Sequence, residues 1–152
     1  MYDLDGDPGL FKLMFDQAPL GISLVSLEGV WLEVNPQLAN LLGYRVEQLK
    51  GQNYSKFTHP DDALRDRMKM EELKKGVIPK VRLIKRYIHK DGHIIWVNLV
   101  ANSITNERGE ARFFLVFYQD ITETKYIQNE LQKVQHDFQI IVEKSPLPII
   151  IS

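Results

Sequence analysis

The sequence predicts an α+β domain built around one antiparallel sheet. Two short strand-like runs, at residues 21–26 and 30–34, precede two helical segments, and three longer strand-like runs follow them. The first two long runs are joined by Lys-Asp-Gly at 90–92, which is typical of a tight hairpin. Strands, then helices, then an antiparallel meander are the order expected of an α+β domain with a single sheet.

Composition indicates a soluble globular protein. The 152 residues are 44% hydrophobic and 26% charged. The net charge of −1 gives no indication of binding to nucleic acid or to an anionic membrane. Cysteine is absent, which excludes disulfides and sulfur-ligated zinc and fits a reducing compartment. Because the apolar run at 113–118 is far shorter than the ~20 residues of a spanning helix, we expect a cytoplasmic fragment without membrane contact.

The first helical segment is short and amphipathic. Residues 1–9 hold three Asp, two Gly and one Pro, which predicts a tail. Apolar residues then recur at helical spacing, and the helix is expected to end before Pro19. Those apolar residues are Leu10, Phe11, Met14 and Phe15.

Two further helices are predicted between the strands. The first has Asn35 as N-cap, Pro36 at its first position and Gly43 at its end. The segment 46–57 predicts short helical turns broken at Gly51. A longer helix then follows.

That longer helix is predicted from its charged start. Asp61 or Asp62 is expected to cap it, because acidic residues at a helix start favour capping and the macrodipole, and Gly76 is expected to end it. Apolar spacing assigns its buried side to Leu64, Met68 and Leu73.

The long strands alternate in a way that predicts the faces of the sheet. One face of the second long strand is apolar, and the last strand is apolar on both faces, so both sides of the sheet need cover. We expect the N-terminal helix or a partner subunit to cover the side opposite the other helices. The apolar residues of the second long strand are Ile95, Val97, Leu99 and Ala101; those of the last strand are Phe114, Val116 and Tyr118 on one face and Phe113, Leu115 and Phe117 on the other.

The C-terminal segment combines a heptad pattern with an internal repeat. From Thr124, positions spaced alternately by three and four residues form a seam about three heptads long, which favours a paired helix over a single helix packed on its own sheet. Residues 138–152 also resemble residues 11–25, as in domain arrays. We therefore expect a coiled-coil-like helix at 123–143 and the truncated start of a second domain at 144–152. The seam residues after Thr124 are Ile127, Leu131, Val134, Phe138 and Ile141.

Five motifs, in order, resemble the PAS (Per-Arnt-Sim) sensory domain of the S-box/PAC type. They are NPQLANLLGY, EQLKGQNY, HPDD, KDGHIIWV and DIT, and the resemblance covers roughly residues 10–122. It implies a five-stranded antiparallel sheet with helices on one face, a small cavity between them, and a homodimer. It also implies a sensor or relay module upstream of a histidine kinase, diguanylate cyclase or phosphodiesterase domain.

The resemblance implies two sets of site residues. The first lines a candidate ligand cavity, for which a filled core is the equally weighted alternative. The second, Asp120, Ile121 and Thr122, passes motion from the last strand to the output helix, which Asp120 could cap with Glu123 three residues later. The candidate cavity residues are Tyr44, Phe57, Leu64, Met68, Val97, Leu99, Phe114, Val116 and Tyr118.

The same resemblance restricts the cofactor. Photoactive flavin members carry cysteine where GQNY places Tyr54, so a covalent flavin adduct is excluded. Haem-binding members use a histidine on the helix before the long hairpin, and residues 62–75 contain none. A noncovalently bound flavin or a small metabolite is not excluded as the ligand.

The histidines predict neither a metal site nor catalysis. His89 and His93 flank the hairpin and could approach each other, but hairpin ends are usually solvated, while His59 is expected in a loop and His136 on the linker helix. We therefore expect no enzyme activity from this fragment. The alternatives to a sensor module are a ligand-free dimerisation adaptor and, with less support, a small α+β enzyme.

Overall fold

A computed structural model describes residues 8–145 of the chain. The chain divides after Asp120 into two compact units, the first holding the sheet and its helices and the second holding the C-terminal helix. The elements are α1 (Pro8–Gln17), β1 (Gly21–Val25), β2 (Trp31–Val34), α2 (Pro36–Leu42), α3 (Val46–Leu49), a 3₁₀ turn (Tyr54–Lys56), α4 (Pro60–Lys74), β3 (Val81–Ile88), β4 (Ile94–Thr105), β5 (Ala111–Asp120) and α5 (Thr122–Lys144).

The five strands form one antiparallel sheet in the order β2-β1-β5-β4-β3. The last strand lies at the centre, where Gly21 of β1 pairs with Tyr118 and Val25 pairs with Phe114. α2 packs on β1 and α4 packs on β3, and the inward residues of the strands are buried beneath them. The predicted α+β class and five-stranded antiparallel sheet are confirmed.

Asn35 joins three elements at the start of α2. Its side-chain oxygen accepts hydrogen bonds from the backbone N–H of Leu38 (3.0 Å) and of Ile22 (2.9 Å). Its amide donates to the carbonyls of Leu20 (2.9 Å) and Phe15 (3.1 Å). The predicted cap is therefore correct, and it also fixes the entry to β1 because a buried amide must satisfy all its polar atoms.

α4 presents a different face from the predicted one. His59 is the N-cap, with its side chain accepting from the Asp61 N–H (3.1 Å), so the prediction of Asp61 or Asp62 as cap is wrong. Leu64 and Met68 are 64% and 57% exposed, so placing them in the core was also wrong. The buried residues of the helix are Asp62, Asp66, Met70 and Leu73, of which only Leu73 was expected. The two carboxylates turn inward because β3 supplies cationic partners there, as described below.

The opposite side of the sheet is only partly covered. Phe113, Leu115 and Phe117 are half-buried, whereas α1 contains no buried residue and leaves Phe11 57% exposed. Cover of this face by α1 or by a partner subunit stays a prediction. Pro8 and Gly9, assigned to the tail from sequence, form the first turn of α1.

α5 is a 23-residue helix with no buried residue. Its N-cap position is held by Ile121, which makes no side-chain capping hydrogen bond, so the prediction that Asp120 occupies the cap is wrong; Asp120 is the last residue of β5. None of the helices in the described range 8–145 has the length and hydropathy needed to cross a membrane. The predicted start of a second domain falls almost entirely on residues 146–152, which lie outside the described residues. Each predicted seam residue is more than half exposed on α5: Ile127, Leu131, Val134, Phe138 and Ile141.

Candidate functional site

A buried ion pair lies between the sheet and α4. Lys85 of β3 is fully buried, and its ammonium group contacts the carboxylate of Asp66, whose side chain is 3% exposed. The ammonium also donates to the Thr58 hydroxyl (3.1 Å). Its remaining surroundings are aromatic, since it lies 4.6 Å from the Tyr54 ring centroid and 4.3 Å from that of Tyr87.

Sequence reasoning missed both charges. In the structure Lys85 shares the inward face of β3 with Val81, Leu83 and Tyr87. That alternation was visible in the sequence, and a lysine in register with three apolar residues could have indicated a buried cation.

The pair controls the electrostatics of the interior. Burial lowers the pKa of Lys85, and the adjacent Asp66 opposes that shift by stabilising the charged amine. An isolated charge at this depth would be very unfavourable, so each partner depends on the other. Burial also raises the pKa of the Tyr54 hydroxyl above its ordinary value, with the Asp66 carboxylate adding to the shift.

Two tyrosines complete the interior cluster. The Tyr118 hydroxyl shares a hydrogen bond with Ser23 Oγ (2.8 Å) and accepts one from Trp31 Nε1 (3.1 Å). Burial raises the pKa of Tyr118 to about 12. The Tyr87 hydroxyl is buried without a hydrogen bond to any residue that the structure describes. Burial raises the pKa of Tyr87 well above its ordinary value, and the nearby Tyr118 hydroxyl adds to the shift. Tyr87 therefore offers a donor that a water or a ligand oxygen would satisfy.

The interior cavity beside this cluster is small. Its volume is about 10 Å³, which is roughly enough for one water molecule. Of the predicted lining residues, Leu99, Val116 and Tyr118 do line it. It is lined by Val25, Tyr54, Asp66, Met70, Lys85, Tyr87, Leu99, Val116 and Tyr118.

The other predicted lining residues lie elsewhere. Tyr44 and Phe57 pack edge to face, with ring centroids 5.2 Å apart, at the margin of the core. Val97 is buried in the core, and Phe114 faces a separate cleft. Leu64 and Met68 lie on the exposed side of α4, for the reason given above.

That cleft opens beside the ion pair. It has a volume of about 380 Å³, within the range of ligand pockets, and lies between the loop after β1, the 3₁₀ turn and α4. Tyr54, Asp66 and Met70 line both the cleft and the interior cavity. These three side chains therefore lie between the cleft and the interior cluster.

A second ion pair fixes α4 to the sheet. Asp62 accepts from Arg86 Nη2 (2.8 Å), from Arg86 Nε (3.0 Å) and from the Arg86 backbone N–H (2.8 Å). These hydrogen bonds hold the pKa of the Asp62 carboxyl below its usual range. Asp61 is exposed and lies 4.0 Å from the same Arg86 Nη2, so both adjacent carboxylates pair with one guanidinium.

The histidines occupy three separate places. His59 caps α4, and His136 lies exposed on α5. His89 and His93 stack at the β3–β4 hairpin with ring centroids 4.3 Å apart, beside Asp91. The sequence suggested that they could approach each other but predicted no metal site, and the structure brings them together with a carboxylate.

The fold defines a class of small α+β sensory domains. A solved PAS domain from Colwellia psychrerythraea aligns with a TM-score of 0.70 and 25% identity, covering 80% of this chain and 99% of that one. The PAS domain family profile matches residues 19–123. The chain belongs to the PAS domain family, as its sequence motifs indicated.

Relatives of this chain are multi-domain signalling proteins. The probable diguanylate cyclase DgcE of Escherichia coli (strain K12) is 30% identical over 124 residues, which cover 82% of this chain and 11% of that protein. The sensor histidine kinase TmoS of Ectopseudomonas mendocina is 24% identical over 127 residues, which cover 84% of this chain and 13% of that protein. The chain thus corresponds to one sensory domain and spans only a small part of these relatives.

Proposed function

We propose that this chain is a sensory or signal-relay module of a larger protein, either a sensor histidine kinase or a diguanylate cyclase or phosphodiesterase. Its relatives carry such output functions, and a PAS domain is a sensory fold rather than a catalytic one. Localisation in the cytoplasm belongs to the same proposal. No catalysis by the module itself is part of the same proposal, because Asp62 is engaged by Arg86 and His59 caps α4.

One observation carries the relay proposal. β5 supplies Val116 and Tyr118 to the cavity wall, ends at Asp120, and is joined to α5 by Ile121 alone. A displacement of β5 that repacks the cluster would therefore tilt or rotate the start of α5. Ile121→Gly, which loosens the one residue between β5 and α5, should uncouple sensing from output in the parent protein while the fold persists, and unchanged signalling would refute the relay.

The interior cluster also restricts the ligand. A noncovalent ligand would enter through the cleft by moving Tyr54, Asp66 or Met70, since the interior cavity has room for no more than about one water. Inside, it would meet the Tyr87 hydroxyl, which has no hydrogen bond to the described residues, and the Lys85 ammonium, which lies over the Tyr87 ring. Both groups are donors, so the best match is a small metabolite that presents an acceptor oxygen.

The small cavity equally supports a second function, a ligand-free dimerisation adaptor with a filled core. Native mass spectrometry and an absorption spectrum of the purified chain separate the two. A sensor retains a bound small molecule or a chromophore, or gains one from a metabolite mixture. If no compound adds mass under conditions that preserve the fold, the adaptor is favoured.

Homodimerisation through α5 is part of the proposal. Five large apolar residues on one heptad seam are more than half exposed, and a second copy of the helix is the partner that such a seam fits. Leu131→Glu should therefore dissociate the dimer in sedimentation velocity experiments. Lys133→Glu, which lies off the seam on the same helix, is the matched control and should leave the dimer intact. A dimer that survives Leu131→Glu would contradict the seam.

A further inference from the structure

The β3–β4 hairpin brings three potential metal ligands together. The strands end at Ile88 and resume at Ile94, and the His89 N–H donates to the His93 carbonyl (2.9 Å). The turn closes with the Gly92 N–H donating to the His89 carbonyl (2.8 Å). The two histidines are therefore direct neighbours across the hairpin, with Asp91 between them in the turn.

The donor atoms of these residues already converge. His89 Nδ1 lies 3.2 Å from Asp91 Oδ1, and His93 Nδ1 contacts the same oxygen. One ligand atom from each residue lies within 4.8 Å of the other two. Zinc bonds of about 2.0–2.1 Å to nitrogen and oxygen place neighbouring tetrahedral ligands about 3.3 Å apart, so only small side-chain movements separate this set from coordination.

We propose that His89, Asp91 and His93 bind one divalent transition-metal ion of the zinc class. Imidazole nitrogen and carboxylate oxygen are ligands that zinc accepts, and three protein ligands leave a coordination position open to water or another ligand. This site is separate from the interior cluster, and it stands or falls independently of the proposed sensory function.

The surrounding structure holds one ligand in place and leaves the other two accessible. The His89 side chain is 22% exposed, and its ring packs so closely on Gly43 that a β-carbon there would collide with it. The Lys90 N–H donates to the Leu42 carbonyl (3.0 Å), which fastens the turn to the end of α2. Asp91 and His93 have side chains 63% and 57% exposed, so an ion can reach them from solvent.

Without a metal, the same cluster is explained by hydrogen bonds that close the turn. The Asp91 carboxylate accepts a hydrogen bond from the His93 backbone N–H (3.0 Å), and the Asp91 backbone N–H donates one to His89 Nδ1 (3.2 Å). The two explanations differ in one measurable property, which is the affinity of the hairpin for Zn²⁺.

Isothermal titration of Zn²⁺ into the tag-free, EDTA-treated full chain tests the proposal. We expect one Zn²⁺ per chain, with affinity reduced at least about tenfold by His93→Ala and by Asp91→Asn, since even outer partners of metal ligands contribute that much. His136→Ala removes an exposed histidine from α5 and should change the affinity less than about twofold.

A second readout distinguishes coordination by these three residues from nonspecific metal binding. Co²⁺ added to the wild-type chain should give visible d–d absorption that Zn²⁺ abolishes and that His93→Ala lacks, while far-UV circular dichroism shows the variant folded. The proposal is overturned if the wild-type chain binds no Zn²⁺. It is equally overturned if His93→Ala binds Zn²⁺ as tightly as wild type, or if His136→Ala abolishes binding.

Discussion

Asp66→Asn is the sharpest perturbation of the interior, because it removes one charge from an ion pair that is almost completely buried. Lys85 is fully buried, and its ammonium would keep the Thr58 hydroxyl, two aromatic rings and a neutral amide oxygen at position 66, with no negative charge in contact with it. Breaking a buried pair in this way costs about 3–5 kcal/mol of unfolding free energy. That is a large share of the roughly 5–15 kcal/mol by which a domain is stable, so the variant should be partly unfolded or close to it.

The double variant Lys85→Met/Asp66→Leu keeps the prediction testable if the single variant does not fold. It removes both charges and fills the space with apolar side chains, so we expect stability within about 1 kcal/mol of wild type or above it. A large favourable coupling between the two positions follows, which a double-mutant cycle measures directly.

Urea unfolding followed by tryptophan fluorescence and far-UV circular dichroism gives the required free energies. Glu33→Gln is the matched control, since Glu33 pairs with Lys50 at 3.1 Å while both side chains are about half exposed. Breaking this surface pair should cost less than about 1 kcal/mol. If Asp66→Asn costs no more than Glu33→Gln, the inward placement of the Lys85 charge is wrong.

Three further predictions concern single contacts, each read by urea unfolding. Asp62→Asn should destabilise the domain at pH 7, because a native pKa held below the unfolded value of about 3.9 stabilises the fold above that pH. The loss of stability should shrink as the pH falls below the unfolded pKa and disappear below the lower native pKa; a loss independent of pH would contradict the ion pair. Tyr118→Phe should lower the free energy of unfolding by about 1–3 kcal/mol, because Ser23 and Trp31 each lose a buried hydrogen bond. Tyr87→Phe should lower it by less than about 0.5 kcal/mol unless a bound water or ligand uses the Tyr87 hydroxyl. Equal losses in the two variants would contradict this difference. Gly43→Ala should destabilise the domain more than Gly109→Ala. Both glycines have positive φ, so each substitution lowers the free energy of unfolding by roughly 1–2 kcal/mol, but only alanine at position 43 would also displace the His89 ring. Equal losses would contradict the packing of His89 on Gly43.

Local signals predicted the elements that local chemistry controls. Asn35, Gly43 and the Lys-Asp-Gly turn act through backbone groups within a few residues, so their roles follow from the sequence. The alternation along β4 also predicted its buried face, because one face is wholly apolar.

The interior could not be predicted in the same way. Leu64 and Met68 were placed in the core by apolar spacing, but the inward positions of α4 belong to Asp62 and Asp66. A carboxylate is buried only where a distant residue neutralises it, and here β3, some twenty residues further along, carries that residue. Hydrophobic periodicity contains no information on such a pairing, so both the ion pair and the true cavity wall were missed.

The relay through β5 is tested most directly by the distance between two copies of α5. The chain contains no cysteine, so Asn129→Cys introduces a single labelling site on the side of the helix away from the seam. Double electron–electron resonance of the spin-labelled dimer should give one narrow distance distribution, and adding Tyr118→Phe should shift or broaden it through β5. An unchanged distribution in that variant, with the domain folded, would contradict the claim that the interior cluster controls the output helix.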